Sequence, residues 1–273
     1  MEQLITFLKG LCMGTADIIP GVSGGTIALI TGIYTRLIDG IDYIADFFKP
    51  KTWEQGIAKT IKGVDFKFFI PLVLGIGIAM LALSNIIHYL LEDQAVLTYA
   101  FFFGLILASA WFVYRQLDQP KPLTFGISII GLLFGFLIVG LSQLNATHSL
   151  PILFGSGAIA ICAMILPGIS GAFILLILNQ YQYVLGMIKS FSITEILVFG
   201  LGAATGLLLF SKLLHYLLHK HKNHTMGFLT GLMVGSLRLP ATIISDNYTG
   251  NWIGVVLLAV IGIALVYFLE KMA

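Results

Sequence analysis

The sequence reads DIIPGVSGGTIALI from Asp17 to Ile30 and MILPGISGAFILLI from Met164 to Ile177. Each stretch sets Pro-Gly-x-Ser-Gly inside an apolar run. Proline removes a backbone donor and crowds the preceding turn, while glycine loosens the chain, so neither suits a helix interior. Each stretch is therefore read as a break between two half-helices. Their recurrence at matching positions predicts that the two breaks form one site.

The rest of the chain is apolar to a degree that excludes a soluble domain. Of 273 residues, 58% are hydrophobic and 10% charged, against about 25% charged in soluble proteins. No Asp, Glu, Lys or Arg falls between Lys121 and Lys189. The composition calls for an all-α integral membrane protein. A net charge of +2 without a basic block excludes a nucleic-acid partner. The opening MEQLITFLKG lacks the charged n-region and small-residue cleavage site of a signal peptide. Cys12 and Cys162 stand alone in apolar runs and are expected to pack as small hydrophobes. No cofactor and no metal site is expected: His215, His219, His221 and His224 have no acidic or cysteine ligand beside them in sequence and read as a polar loop.

Hydropathy gives six full spans, near 68–91, 97–115, 123–144, 196–219, 226–245 and 252–270, each close to the ~20 residues that cross the hydrocarbon. The two motif segments, roughly 11–38 and 152–187, would measure ~40–50 Å as continuous helices. That is longer than a span needs. Two half-helices of ~15–20 Å each, entering to the midplane and returning, fit better. Charge supports this: with both segments re-entrant, the Lys- and Arg-rich connections fall on one face and the bare loops near 92–96, 145–150 and 246–251 on the other, with Lys189 the exception. Both termini are then cytoplasmic.

The chain also repeats itself. Ile18–Tyr34 aligns with Ile165–Tyr181, SNIIHYLL (Ser84–Leu91) with SKLLHYLL (Ser211–Leu218), and GLILAS (Gly104–Ser109) with GLMVGS (Gly231–Ser236). A single membrane domain, 1–273, is expected. It would hold a first inverted repeat, 11–115, with an insertion at 45–65 read as an amphipathic interfacial helix. A linking transmembrane helix, 116–150, leads to a second repeat, 151–245, and a C-terminal transmembrane helix, 246–273. Three spans lie between the breaks, so the halves are inverted, as in many secondary transporters with a midplane site.

A helix that starts at a break presents unpaired N–H groups and its positive dipole end, which suits an anion. Ser23 and Ser170 lie where a hydroxyl caps the turn or donates to a bound oxygen. Gly21, Gly24, Gly168 and Gly171 admit a bulky group close to the backbone. GVSGGT is no nucleotide loop, since it lacks the Gly-Lys-Ser/Thr ending. Asp17, whose counterpart is Met164, is read as carrier of a coupling proton or cation, or as a cap on the turn. Arg238 falls ~20 Å into its span, too deep to snorkel, and is read as a bidentate phosphate ligand, with pairing to Asp17 as the alternative. Lys212 and Arg36 are expected to snorkel, and His88 and His215 to be interfacial.

GTADIIPGVSGGTIALITGIYTRLI (Gly14–Ile38), ILPGISGAFILLIL (Ile165–Leu178) and GLMVGSLR (Gly231–Arg238) resemble the polyprenyl-phosphate transporter family, and the resemblance runs over nearly the whole chain. It implies a multi-pass protein of the bacterial cytoplasmic membrane, not an enzyme. Such a protein returns undecaprenyl phosphate from the outer to the inner leaflet for reuse in cell wall biogenesis. Its partners are the lipid substrate and membrane lipids, and glycine-rich faces serve a homodimer or packing within one chain. The family motifs fall on Asp17, Pro20, Gly21, Ser23, Gly24, Gly25 and Thr26, on Pro167, Gly168, Ser170 and Gly171, and on Arg238. Two other readings stay open: an ion-coupled carrier of a small soluble anion, and a polyprenyl-pyrophosphate phosphatase. The second lacks the arginine its motif needs, because Gly24 and Gly171 stand there.

Overall fold

The computed structural model describes residues 1–46, 63–118, 121–144, 146–248, 250 and 252–271. Among them the secondary structure is helical throughout. Two runs of five helices follow one pattern. The first is α1 (Glu2–Asp17), α2 (Gly24–Ile30), α3 (Tyr34–Asp46), α4 (Phe66–Asp93) and α5 (Ala95–Arg115). After α6 (Pro122–Val139) comes the second: α7 (Leu150–Ile165), α8 (Gly171–Ile177), α9 (Tyr181–Lys189), α10 (Ile193–Lys220) and α11 (Lys222–Ser236). The chain ends in α12 (Arg238–Asp246) and α13 (Trp252–Lys271). Corresponding helices agree in length where the motifs lie: 16 and 16 residues before the break, 7 and 7 after it, and 28 and 28 for α4 and α10.

Backbone conformation repeats with the sequence. The motif glycines Gly21 and Gly168 have φ of 85° and 90°, a region in which a side chain is strained. A second reversal follows each short helix, at Gly32 (φ 73°) and at Asn179 (φ 57°). Asparagine tolerates this conformation better than other residues with a Cβ, so LNQY (Leu178–Tyr181) replaces TGIY (Thr31–Tyr34) without loss of the turn. The α8–α9 pair bends by 106°.

Six apolar helical stretches are long enough to cross a membrane: Phe66–Asp93, Ala95–Arg115, Pro122–Val139, Ile193–Lys220, Lys222–Asp246 and Trp252–Lys271. They agree with the six read from hydropathy. Two details differ. The sixth helix ends at Val139 rather than 144, because Gly140 caps it. The span over 222–246 is two helices, α11 and α12, meeting at Leu237. Most of the insertion read as an interfacial helix at 45–65 lies outside the described residues.

In lipid there is little hydrophobic force between helices, so close backbone packing and hydrogen bonds hold them. Four helix pairs show it. A Cβ on Gly75 of α4 would stand 3.0 Å from the carbonyl carbon of Gly10 in α1, and one on Gly202 of α10 2.9 Å from Cα of Phe154 in α7. Gly231 of α11 packs as tightly on Leu132 of α6, and Gly262 of α13 on Leu105 of α5. The helices after α5 and α11 are thus exchanged: α6 lies on α11, and α13 on α5. Half-buried Cys12 packs on the core and Cys162 lies 3.6 Å from the Gly206 carbonyl, in keeping with a small apolar role.

Candidate functional site

α1 holds α2 at both ends. Asp17, the last residue of α1, accepts from the Gly24 amide at the head of α2 (2.7 Å). Lys9, two turns earlier, donates from Nζ to the Thr31 carbonyl at the other end of α2 (2.7 Å). An acid at the positive end and a base at the negative end both complement the helix dipole, and together they require α2 to double back along α1. The second break reverses likewise: the Leu144 amide, ahead of α7, reaches the Ile177 carbonyl at the end of α8 (2.7 Å). Each return helix is only seven residues, about 10 Å, shorter than the 15–20 Å expected. The Gly32 and Asn179 reversals cut each return limb in two.

The breaks meet. Ser23 Oγ, fully buried, accepts from the Gly25 amide (3.1 Å) and donates across to the Leu166 carbonyl (2.9 Å), with Met164 O at 3.2 Å. In return the Gly168 amide donates to Thr26 Oγ1 (3.0 Å). Gly25 permits this approach, because a Cβ there would fall against the Ile165 carbonyl. Pro20 and Pro167 leave no donor at the turn, and the Pro20 carbonyl accepts from Tyr99 on α5 (3.3 Å). Gly21 lies beneath Leu239 of α12 and Gly168 beneath Met233 of α11. Gly24 leaves room for the Asp17 carboxylate, and a Cβ on Gly171 would fall 2.7 Å from the Ala160 carbonyl oxygen.

The two halves of this junction differ chemically. At the first, Asp17 and Ser23 satisfy the leading amides of α2. At the second, Met164 replaces the acid, and Ser170, 1% exposed, makes no capping bond and has no hydrogen-bond partner. Leaving a hydroxyl in that state costs about 1–3 kcal/mol. An apolar cavity of about 500 Å³ reaches this side of the junction. Leu166 is among its lining residues, with Ile127 and Phe134 of α6, Phe210 and Leu214 of α10, and Phe228 of α11.

Arg238 lies elsewhere. It starts α12, donates to the Phe136 carbonyl (2.8 Å) at the last turn of α6, and rests over the Phe136 ring at 4.3 Å. It makes no pair with Asp17. Depth along the span placed it near the midplane, but the side chain turns onto the end of α6 instead. Arg36 is likewise engaged, by Glu2 (2.8 Å) and Asp65 (2.6 Å) and over Phe68, while Lys212 pairs with Asp46 (3.6 Å). The histidines do have an acid beside them. Asp39 of α3 meets His215 and His219, a neighbour 176 residues from His215 that no local spacing announces. Sequence reading also missed Gln180, fully buried, which ties the α8–α9 bend to Thr147 O (3.1 Å) and His148 (3.1 Å). It stands in the polar stretch NQYQ (Asn179–Gln182) between apolar runs, which was the available signal.

Residues 13–250 match the family model described as undecaprenyl phosphate translocase-like (VCA0040-like). The chain belongs to that family. A protein of Vibrio cholerae named polyprenyl-phosphate transporter is 45% identical over 238 residues, covering 87% of this chain and 77% of its own. One of Staphylococcus aureus with the same name is 32% identical over 257 residues, covering 87% of this chain and 86% of its own. No solved structure gives a significant match. The family match takes in both breaks, the cavity-lining helices and Arg238.

Proposed function

We propose that this chain carries a polyprenyl phosphate, undecaprenyl phosphate in particular, from the outer to the inner leaflet of the bacterial cytoplasmic membrane. The reading deduced from the residues and the names of the relatives agree on this chemistry. A phosphate monoester bears about −1.5 to −2 charge at neutral pH, and its passage through hydrocarbon needs donors to replace water. The observation that carries the proposal is the junction of the two breaks, with the buried, unpartnered Ser170 hydroxyl on one side of it. The headgroup would enter there and meet Pro167, Gly168, Ser170 and Gly171, then exchange with Asp17 for the Gly24 amide and with Ser23 for that of Gly25. Two anions do not share those donors without a proton or cation between them, so arrival of phosphate would require Asp17 to take up a proton or a cation. That is the coupling step.

The apolar cavity between α6, α10 and α11 has the lining a prenyl chain needs and includes Leu166 of the junction. The tail would lie there while the headgroup crosses. The twofold arrangement of helices supports inverted repeats that rock about the junction, with the exchanged pairs α5–α13 and α6–α11 as bearings. Arg238, on the rim at the end of α6, would receive the phosphate before or after passage. The test is reconstitution in liposomes carrying a polyprenyl monophosphate, with headgroup exposure followed on each leaflet and hydrolysis of the pyrophosphate lipid assayed alongside. Movement without hydrolysis, abolished in Ser170→Ala, is the expected result. Hydrolysis would point to a phosphatase. Neither, under an imposed ion gradient, would turn the reading toward a soluble-anion carrier.

A further inference from the structure

The polar groups that the junction leaves unused gather where α3 crosses α10. His215 and His219 stand one turn apart on α10, and the Asp39 carboxylate of α3 reaches both. Its Oδ1 lies 2.8 Å from His215 Nδ1 and its Oδ2 3.7 Å from His219 Nε2. One ligand atom from each of the three lies within 4.8 Å of the others.

The protons on His219 are constrained. Its Nδ1 is 2.9 Å from the His215 carbonyl oxygen, a contact that only an N–H makes, so Nδ1 carries a proton. In the neutral ring Nε2 then turns its lone pair toward Asp39 Oδ2, and two acceptors face each other. Something positive belongs between them. Three ligands at about 2.0–2.1 Å from a tetrahedral centre stand about 3.4 Å apart, and the separations from Asp39 bracket that value. An imidazole with one nitrogen on a backbone carbonyl and the other free is also how a metal-bound histidine is held.

We propose that Asp39, His215 and His219 bind one divalent transition-metal cation of the zinc class, with water completing the shell. The three side chains are 38%, 38% and 52% exposed, so an ion reaches them from solution. His219 also lines a cavity of about 390 Å³ with Tyr34, Thr35, Gln116 and Lys222, which gives the water ligand room. The ion would cross-link the two runs of helices, on a seam that Lys212 and Asp46 already join (3.6 Å). The positions matched to these three by the sequence repeat are His88, Glu92 and Gly186, so no carboxylate stands where Asp39 does. The inference does not depend on what the chain transports.

The test uses the full chain in detergent, purified without a polyhistidine tag, stripped with a chelator and titrated with Zn²⁺ by calorimetry and with Co²⁺ by visible absorption. One equivalent is expected to bind, with cobalt bands of a tetrahedral nitrogen–oxygen set in the wild-type protein. Asp39→Asn and His219→Gln are each expected to weaken binding at least about tenfold, while His221→Gln and His224→Gln leave it unchanged. The cobalt spectrum decides the matter even if a ligand variant fails to fold. Absence of binding up to roughly 0.1 mM zinc, or binding moved by His221→Gln or His224→Gln, would overturn the proposal. So would a melting temperature that follows pH but not zinc, which would assign the contact to an imidazolium at His219.

Discussion

The approach of the two breaks rests on one missing methyl group, and Gly25→Ala tests it. A Cβ at residue 25 would lie 3.1 Å from the Ile165 carbonyl carbon and closer still to its oxygen, where carbon atoms pack comfortably at about 3.5–4.0 Å. Both sides of the contact are backbone, so no flexible side chain can yield. The breaks would have to part by roughly 0.4–0.9 Å. That stretches Ser23 Oγ–Leu166 O from 2.9 Å and Gly168 N–Thr26 Oγ1 from 3.0 Å to the limit of hydrogen bonding. Two bonds at about 1 kcal/mol each, plus a buried amide left unmatched at about 1–3 kcal/mol, are lost. The helix-propensity gain of alanine, about 1 kcal/mol, offsets part of this. A net loss of about 2–4 kcal/mol remains, roughly 4–16 °C in melting temperature for a chain of this size. Thermal denaturation in detergent reads it, with Gly155→Ala as the control, since a Cβ there meets nothing within 4 Å. If Gly25→Ala melted with Gly155→Ala, the breaks would not be in contact and the account of the junction would fail.

Four further outcomes are expected. Asp17→Ala leaves the Gly24 amide unmatched and costs about 1–3 kcal/mol by thermal melt; Asp17→Asn keeps an acceptor and costs less, but transports with altered pH dependence, and a normal rate and pH profile would remove the coupling role. Lys9→Met, which takes the ammonium from the Thr31 carbonyl, lowers stability by about 1–2 kcal/mol, whereas Ser156, its counterpart by position, tolerates alanine. Ser170→Ala is neutral or stabilising in the melt, because the hydroxyl it removes has no partner, yet abolishes lipid movement; Ser23→Ala loses both a cap and a bond across the junction and melts lower. Leu217→Trp narrows the cavity beside α6 and slows a long-chain polyprenyl phosphate more than a short-chain analogue in the liposome assay; equal slowing would place the tail elsewhere.

Much of the architecture was legible in the sequence. Six spans followed from apolar length alone, because lipid forces helices of a set minimum length and forbids charge within them. The breaks followed from proline and glycine, whose backbone limits act locally. The partners of the polar residues were not legible. Ser23 reaches carbonyls more than 140 residues away, Asp39 joins a histidine 176 residues on, and Arg238 turns to the Phe136 carbonyl of α6 instead of the junction. Periodicity and spacing report on neighbours along the chain. Which groups meet across it depends on how helices cross, and that depends on where glycine lets two backbones come within a few ångströms, so tertiary packing alone decided it.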